Sequence, residues 1–352
     1  MKRIPSLDGF RAISIILVVI YHGFYSVAGF PTGWGWLVQH GKVGVTIFFV
    51  ISGFLITNLL LVEEQSKGRI DIGSFYMRRA FRIIPVYILY IVFLQTWRYI
   101  EHINFSEANL IHALTFTVDF DPNVYKNNWY LAHFWTLSVE EQFYIFWPAL
   151  LVFFRKHLKI ILIVLIIYSC IARSITHRFP DWAFFTLSPF FTYSDAVFIG
   201  SLGGIVFFEH PDICKHRLFT SNLIQFISFC IVVGFTYLLY NGKLSIFIIP
   251  FGNSIISLGI LFLILANITP SNKIIFKFLN NKVVTHIGIL SYSIYIWQQF
   301  FFMGESKVIW RTFPYNIIII YFVGLASYNL FEKPFLRIKK YFLSKKLQTI
   351  TH

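Results

Sequence analysis

Residues 42–62 read KVGVTIFFVISGFLITNLLLV, and this stretch decides the class of fold. After Lys42 it contains no acidic or basic side chain. A helix rises about 1.5 Å per residue, so about twenty apolar residues match the hydrocarbon core of a bilayer, which is about 30 Å thick. The stretch therefore predicts a transmembrane helix.

Comparable apolar runs recur along the whole chain. The predicted spans lie near residues 10–28, 42–62, 83–100, 133–154, 159–175, 189–208, 221–240, 244–266, 285–303 and 315–331. A further run, Leu110 to Val118, is too short to cross and is expected to be interfacial or re-entrant. We predict an all-α fold: a polytopic membrane helical bundle of about ten transmembrane helices and one short interfacial or re-entrant segment.

The composition agrees with a membrane protein. Of the 352 residues, 57% are hydrophobic and 13% are charged, whereas a soluble domain is nearer half apolar and a quarter charged. The formal charge of +14 could indicate a nucleic-acid partner. The basic residues, however, lie in short segments between apolar runs, which is the pattern that orients membrane proteins. No nucleic-acid partner is predicted.

The distribution of Lys and Arg predicts the topology. With ten crossings, 21 of the 30 basic residues fall on the amino-terminal side and eight on the other, while Arg11 lies just inside the first span. The positive-inside rule therefore places both termini in the cytosol. We predict a membrane domain over residues 1–334 and a basic cytosolic tail, residues 335–352, near anionic membrane lipid.

The first span carries two ionisable side chains, Arg11 and His22. Such groups are costly inside a bilayer, so each is a candidate functional residue. Eleven residues make close to three helical turns, so both side chains project from one face, roughly 16 Å apart along the axis. An anion held at Arg11 would have its far end near His22. The alternative is a snorkelling arginine and a packed, hydrogen-bonded histidine.

The fourth span adds two adjacent carboxylates, Glu140 and Glu141. Counted from the predicted boundaries, they lie about 11 Å below the outer surface and His22 about 12 Å below it. Asp195 in the sixth span and Gln298 in the ninth fall within a few ångströms of that depth. The sequence therefore predicts a single buried polar site at this level.

A histidine beside a carboxylate is a common general-base arrangement, because the acid fixes the tautomer and stabilises the imidazolium. Adjacent helix residues point about 100° apart, so only one of Glu140 and Glu141 is expected to face His22. A metal site is the competing interpretation, but the sequence has no HExxH motif or comparable ligand spacing. No metal is predicted.

Two further features are an arginine pair on the predicted cytosolic side and two small residues inside the second span. Arg79 and Arg82 are one helical turn apart, which suits fork-like capture of phosphates. The alternative is an anchor at the lipid headgroups. Ser52 and Gly53 place two small residues in an aromatic span. Close helix packing is the default explanation, and a passage for a slender substrate is the alternative.

Six short motifs follow one another from residue 6 to residue 334. They are Ser6-Leu-Asp-Gly-Phe-Arg11 with ten residues before His22, Phe48 to Phe54, Arg79-x-x-Arg82, Trp135-Thr-Leu-Ser-Val-Glu140-Glu141-Gln-Phe-Tyr144, Ser291-Tyr292-x-x-Tyr295-x-Trp297 and Glu332-Lys333-Pro334. In content and order they resemble the acyltransferase-3 family of membrane acyltransferases. The resemblance covers nearly the whole chain.

The resemblance implies transfer of a short acyl group, usually acetyl from acetyl-CoA, to a hydroxyl of a cell-surface glycan such as lipopolysaccharide O-antigen or exopolysaccharide. The acceptor would be a carbohydrate or a lipid-linked glycan, and the location a bacterial cytoplasmic (inner) membrane. Many family members have histidine where this chain has Gln298, so that residue is expected to bind rather than to transfer a proton. Some members carry an SGNH-type domain, and this chain is expected to act without one.

The resemblance also assigns roles to residues. The catalytic residues would be His22, Glu140 and Glu141. The donor-binding residues would be Arg11, Arg79, Arg82 and Ser52. The residues that contact the acceptor or line its pocket would be Trp135, Tyr144, Asp195, Tyr292 and Gln298. Transfer could be direct or could pass through an acyl-histidine.

Two other classes of function fit some of these features. A transporter of an envelope precursor or anion would also have several crossings, buried ionisable residues and a basic mouth, although the paired interrupted helices of many transporters are not seen in the sequence. A non-catalytic lipid-binding or scaffold protein would need no aligned polar layer.

Overall fold

A computed structural model describes residues 4–27, 31, 35–101, 105–121, 129–179, 189–242, 245–302 and 308–339. Within these ranges every regular element is helical. The long helices, numbered here in chain order, are α1 (Leu7–Ser26), α2 (Gly41–Lys67), α3 (Ile72–Glu101), α4 (Phe134–Phe153), α5 (Leu158–Arg178), α6 (Asp195–Glu209), α7 (Asn222–Tyr240), α8 (Ser245–Asn267), α9 (Lys282–Phe301) and α10 (Tyr315–Ser327).

Shorter pieces connect these helices. The short α-helices are Gly35–Val38, Glu107–Leu114, Trp129–Ala132, Pro189–Tyr193, Arg217–Thr220 and Ile274–Leu279. The 3₁₀ turns are Val118–Phe120, Arg155–His157, Pro211–Lys215 and Ile309–Arg311. The helix Glu107–Leu114 has eight residues and begins at a capping box on Ser106, so the short segment expected near this point is too short to cross a bilayer.

The predicted all-α membrane bundle is confirmed. Seven helices in the described ranges are long and apolar enough to cross a bilayer: α1, α2, α3, α5, α7, α8 and α10 with its extension to Lys339. The other three are shorter or more polar, and they carry Glu140, Asp195 and Gln298. The total of ten crossings therefore stays a prediction. Each of the three helices that do not qualify as membrane spans carries one of these polar residues.

Helices α2 and α6 approach each other backbone to backbone. A Cβ atom added at Gly53 would lie 1.9 Å from the carbonyl oxygen of Val197, and one added at Gly200 would lie 2.2 Å from that of Val50. Small residues allow this approach in membranes, where van der Waals packing rather than hydrophobicity drives helix association. Gly53 therefore serves close helix packing, as its place in the aromatic span indicated.

Helix α1 is fixed in the same way by its neighbours α2 and α9. A Cβ atom at Gly288 would lie 1.8 Å from the carbonyl oxygen of Asp8, and one at Gly44 would lie 2.6 Å from that of Ser14. The Ser14 hydroxyl donates a hydrogen bond to the Gly44 carbonyl. These contacts set the height and rotation of α1, the helix that carries Arg11 and His22.

Ion pairs join chain segments that the predicted topology places on one side of the membrane. Arg155 Nε lies 3.3 Å from Glu64 Oε2, which links the segments after α4 and α2. Lys159 Nζ lies 2.5 Å from Glu209 Oε2, which links the start of α5 to the end of α6. The segments after α2, α4 and α6 therefore share one end of the bundle. The assignment of this end to the cytosol stays a prediction.

The last helix runs past the predicted domain boundary. A π-helical turn, Tyr328–Glu332, follows α10, and helix continues to residue 339. Glu332 is buried there and accepts a hydrogen bond from Ser293 Oγ at 2.9 Å. Most of the predicted basic tail, residues 340–352, lies outside the described residues, so the boundary after residue 334 stays a prediction.

The glycine contact between α2 and α6 gives a test of the packing. Gly53→Ala forces backbones apart, and we expect it to lower the free energy of unfolding by about 1–3 kcal/mol, the usual cost of overpacking. The measurement is thermal unfolding of purified protein in one detergent. The matched control is Gly234→Ala in α7, where an added Cβ meets nothing within 4 Å. It should be neutral or stabilising, and equal effects of the two variants would contradict the close approach.

Candidate active site

The described residues surround a cavity of about 1070 Å³, comparable with the larger small-molecule pockets of proteins. Side chains from α1, α2 and α4 to α9 line it. Three residues singled out from the sequence, His22, Trp135 and Asp195, lie on its wall. So do His133 and Arg173, which sequence reasoning did not select. The cavity is the natural candidate for a substrate site.

His22 is held in the cavity wall by aromatic rings. Its ring centroid lies 5.6 Å from that of Tyr21 and 6.2 Å from that of Trp129, both in edge-to-face arrangements. The Gln298 side chain lies within interaction range of the imidazole. Even so, among the described residues neither His22 Nδ1 nor the amide atoms of Gln298 have a hydrogen-bond partner of good geometry. Packing rather than hydrogen bonding therefore positions the ring, and these polar atoms are buried without a partner in the described part of the chain.

A second group of polar side chains, the Ser52–Glu140 cluster, consists of Ser52, Glu140, Tyr144 and Arg79. Ser52 Oγ donates to Glu140 Oε1 at 2.7 Å. Tyr144 OH lies 3.2 Å from Ser52 Oγ and 3.4 Å from Glu140 Oε2, and can donate to either. The carboxylate of Glu140 is thus held between two hydroxyls contributed by α2 and α4.

Arg79 joins this cluster through ring contacts. Its guanidinium carbon lies 5.2 Å from the ring centroid of Tyr144 and 5.8 Å from that of Phe75. Within the described part of the chain, Arg79 Nε is buried and has no hydrogen-bond partner. Cation–π contacts hold the guanidinium without using this N–H group, so the side chain can still donate to an anion.

The other arginines predicted to bind the donor lie close by. Arg79 is within electrostatic range of both Arg11 and Arg82. Arg11 Nη1 donates to Asp8 Oδ1 at 2.8 Å, and Arg82 lies within electrostatic range of Glu332. Helices α1 and α3 therefore bring three arginines together next to the Ser52–Glu140 cluster.

Glu141 and Tyr292 also belong to the arginine side of the site. Glu141 is within electrostatic range of Arg79, and its Oε1 is buried without a hydrogen-bond partner among the described residues. Tyr292 OH donates to the carbonyl oxygen of Ile83 at 2.6 Å, and the ring lies within electrostatic range of Glu141. Tyr144 and Tyr292, both predicted to contact the acceptor, thus lie with the arginines rather than with Trp135 on the cavity wall.

The predicted pairing of His22 with Glu140 or Glu141 is wrong. In the described residues no hydrogen bond joins them: Glu140 bonds to the α2 and α4 hydroxyls, and His22 packs on Trp129. His133, immediately before α4, is within electrostatic range of His22. It precedes Glu140 by seven positions, which correspond to about 10 Å of helical rise.

The physical reason for this error lies in the assumptions behind the depth count. The count treated each span as one straight helix perpendicular to the bilayer. In the structure, the segment that begins at Trp129 forms the short helix Trp129–Ala132, and a turn at His133 separates this helix from α4. Equal depths from sequence do not fix the tilt and rotation that decide which side chains meet.

Asp195 is the first residue of α6, follows the short helix Pro189–Tyr193 and the turn at Ser194, and is buried on the cavity wall. Its Oδ2 lies 3.0 Å from Arg173 Nη2 and accepts a hydrogen bond from Ser254 Oγ at 2.5 Å. Arg173 also donates to the carbonyl oxygens of Thr192 and Pro250. A signal for Arg173 was present, because it is an arginine inside the predicted span 159–175, the same criterion that selected Arg11.

Residues 4–328 match an acyltransferase domain family, acyltransferase-3. The chain belongs to the acyltransferase-3 family. Membership implies an acyl donor, and the described residues provide both a cavity and a separate group of three arginines. Across the described ranges, no three or more His, Cys, Asp or Glu side chains are grouped so as to hold a metal ion.

Curated relatives of this acyltransferase-3 protein come from Staphylococcus aureus. One, from strain COL, carries the name "Putative O-acetyltransferase SACOL0978" and is 29% identical over 95% of this chain and 58% of its own length. The O-acetyltransferase OatA of strain NCTC 8325 / PS 47 is 29% identical over 95% of this chain and 57% of its own length. The chain thus spans less than three fifths of these relatives. No solved structure matches it.

The Ser52–Glu140 hydrogen bond gives a stability test of the site. Ser52→Ala removes a donor from a buried carboxylate, and we expect a loss of about 1–3 kcal/mol in the free energy of unfolding. Thermal unfolding in detergent measures it. The control is Ser66→Ala at the exposed end of α2, where the hydroxyl donates to the Glu63 carbonyl at 3.1 Å. A Ser52→Ala variant as stable as this control would show that the bond contributes nothing.

Proposed function

We propose that this protein is a membrane O-acetyltransferase that moves an acetyl group from acetyl-CoA to a hydroxyl of a cell-surface glycan. The acceptor is a carbohydrate, free or lipid-linked, and the protein acts in the cytoplasmic membrane of a bacterium with both termini in the cytosol. Membership of the acyltransferase-3 family and the O-acetyltransferase names of its relatives support the reaction class.

The observation that carries the proposal is the arrangement along α1. Arg11 lies with two other arginines at one level, and His22 lies on the cavity wall eleven residues further on, about 16 Å along the helix axis. The phosphates of acetyl-CoA would bind Arg11, Arg79 and Arg82. The slender arm of the cofactor would then extend past Ser52 and deliver its thioester to the imidazole.

The chemistry at His22 is a balanced acyl transfer. The acceptor hydroxyl gives its proton to a ring nitrogen while its oxygen attacks the thioester carbonyl carbon. The carbon–sulfur bond then breaks, and the imidazolium returns the proton to the leaving sulfur. The products are the acetyl ester and coenzyme A. A route through acetyl-His22 uses the same groups in two steps.

Glu140 has a different role from the one expected of it. Because its carboxylate is bonded to Ser52 and Tyr144 beside Arg79, it would orient the donor-binding side chains rather than polarise His22. Glu141, one oxygen of which has no hydrogen-bond partner among the described residues, would assist at the same level. Asp195 and Trp135, on the cavity wall, would hold the acceptor.

Replacement of the imidazole tests the reaction. His22→Ala should insert normally and abolish acetylation of the surface glycan, because general-base catalysis contributes about 100- to 10,000-fold and a nucleophile would contribute more. The measurement is NMR of glycan extracted from cells that carry the wild-type gene, the variant or no gene. Wild-type protein that adds no acetyl group would exclude the proposal. A transporter would move its substrate without consuming acetyl-CoA.

Replacement of an arginine tests the donor site. Arg79→Ala should weaken binding of labelled acetyl-CoA to purified protein about tenfold or more, since charge-assisted hydrogen bonds contribute about 1.5–3 kcal/mol. The matched control is the neighbouring Arg78→Ala, because Arg78 Nη2 is paired with Glu63 Oε2 at 2.7 Å, away from the cluster. Equal affinities in the two variants would make Arg79 a topology anchor only.

A further inference from the structure

A second histidine, His133, lies on the wall of the same cavity as His22. It is 3% exposed and within electrostatic range of His22. It occupies the turn between the helix Trp129–Ala132 and α4. No step of the proposed reaction uses this residue, so its place beside the reacting imidazole needs a separate account.

The surroundings of His133 hold it in one position. Its carbonyl oxygen accepts hydrogen bonds from Tyr295 OH at 2.6 Å and from Thr136 Oγ1 at 3.2 Å. Its ring packs perpendicular to that of Tyr90, with centroids 5.7 Å apart. Helices α3, α4 and α9 therefore fix both the backbone and the imidazole plane, which preorganises the side chain.

One hydrogen bond also fixes the tautomer. His133 Nε2 lies 3.2 Å from the carbonyl oxygen of Ile296. A carbonyl oxygen only accepts, so Nε2 carries the proton, and in a neutral ring Nδ1 is then an acceptor with a lone pair. Among the described residues this buried Nδ1 has no partner. An unpaired buried acceptor is costly, and a ligand that supplies a donor removes the cost.

The chemistry of the acyl acceptor identifies the group that would donate a hydrogen bond to His133 Nδ1. The reacting hydroxyl gives its only proton to His22, so it cannot also donate to His133. The thioester carbonyl has no proton to give. We propose that His133 Nδ1 accepts a hydrogen bond from a second hydroxyl of the acceptor, adjacent to the one that is acetylated. The inference rests on the proposed function and makes the substrate a sugar with two neighbouring free hydroxyls.

His133 is then a specificity-determining residue. With one hydroxyl bound at His133, its neighbour is the group presented to His22, so the pair decides which oxygen receives the acetyl group. The aromatic wall supports a sugar in this orientation: the ring of Trp135 lies 5.6 Å from that of Tyr193, and both residues line the cavity. Aromatic faces of this kind pack against the apolar faces of sugar rings.

Two substitutions distinguish a role of Nδ1 in binding the acceptor from a role of Nε2 in the hydrogen bond to Ile296 of α9. His133→Gln places an amide N–H near Nε2, so it can keep the bond to Ile296 while it loses the acceptor. His133→Asn places an amide oxygen near Nδ1, so it keeps the acceptor and loses the bond to Ile296. Both are compared with wild-type protein at equal amounts inserted in the membrane.

The readout is the amount and position of acetyl groups on the surface glycan, read by NMR after extraction in mild acid to prevent migration between neighbouring hydroxyls. We expect His133→Gln to lower acetylation about tenfold, the effect of one lost hydrogen bond, and to spread it over both hydroxyls. His133→Asn should keep the wild-type position and lose less. Binding of labelled acetyl-CoA should be unchanged in both.

Three outcomes would overturn the inference: wild-type amount and position in His133→Gln, weaker acetyl-CoA binding in that variant, or a wild-type product on a sugar without a neighbouring free hydroxyl. The first would make His133 a support for α9, and the second would assign Nδ1 to an amide of the donor. Failure of the proposed function is distinct, because wild-type cells would then show no more acetylation than cells without the gene.

Discussion

The clamping of α1 between two neighbouring backbones is the constraint on which the site depends. Gly44 of α2 and Gly288 of α9 allow the approach, and the carbonyl groups of Ser14 and Asp8 occupy the space that larger side chains would fill. A helix held this closely cannot rotate or slide. Its arginine and its histidine are therefore fixed on one axis, at two levels that the remaining helices surround.

The polar groups at the two levels are satisfied in different ways. Around Glu140, the hydroxyl groups of Ser52 and Tyr144 pair with the carboxylate, as polar groups inside a membrane protein must be paired. Around His22, packing positions the rings while several polar atoms have no partner in the described residues. A carboxylate whose two oxygens both accept hydrogen bonds suits a supporting role, whereas unpaired polar atoms beside a cavity suit a place where substrates bind and leave.

The separation of the two levels changes the role assigned to the adjacent carboxylates Glu140 and Glu141. In the proposed reaction His22 is the base at the thioester, and His133 and Gln298 are its polar neighbours. On that proposal the carboxylates act on the arginines that would receive the donor. Helix α4 then carries both groups of residues: Trp135 in its first turn lines the cavity, and Glu140 in its middle bonds to Ser52.

The sequence alone determined the helical membrane architecture, because lipid leaves a spanning segment few options and charge-free runs of about twenty residues are easily read. It also selected His22, the arginines and the carboxylates, since ionisable groups are rare within spans. Only the tertiary structure decided that Glu140 bonds to Ser52 and that His133 lies beside His22. Tilt, rotation and the break before α4 depend on contacts between distant helices, which periodicity along a single helix does not encode.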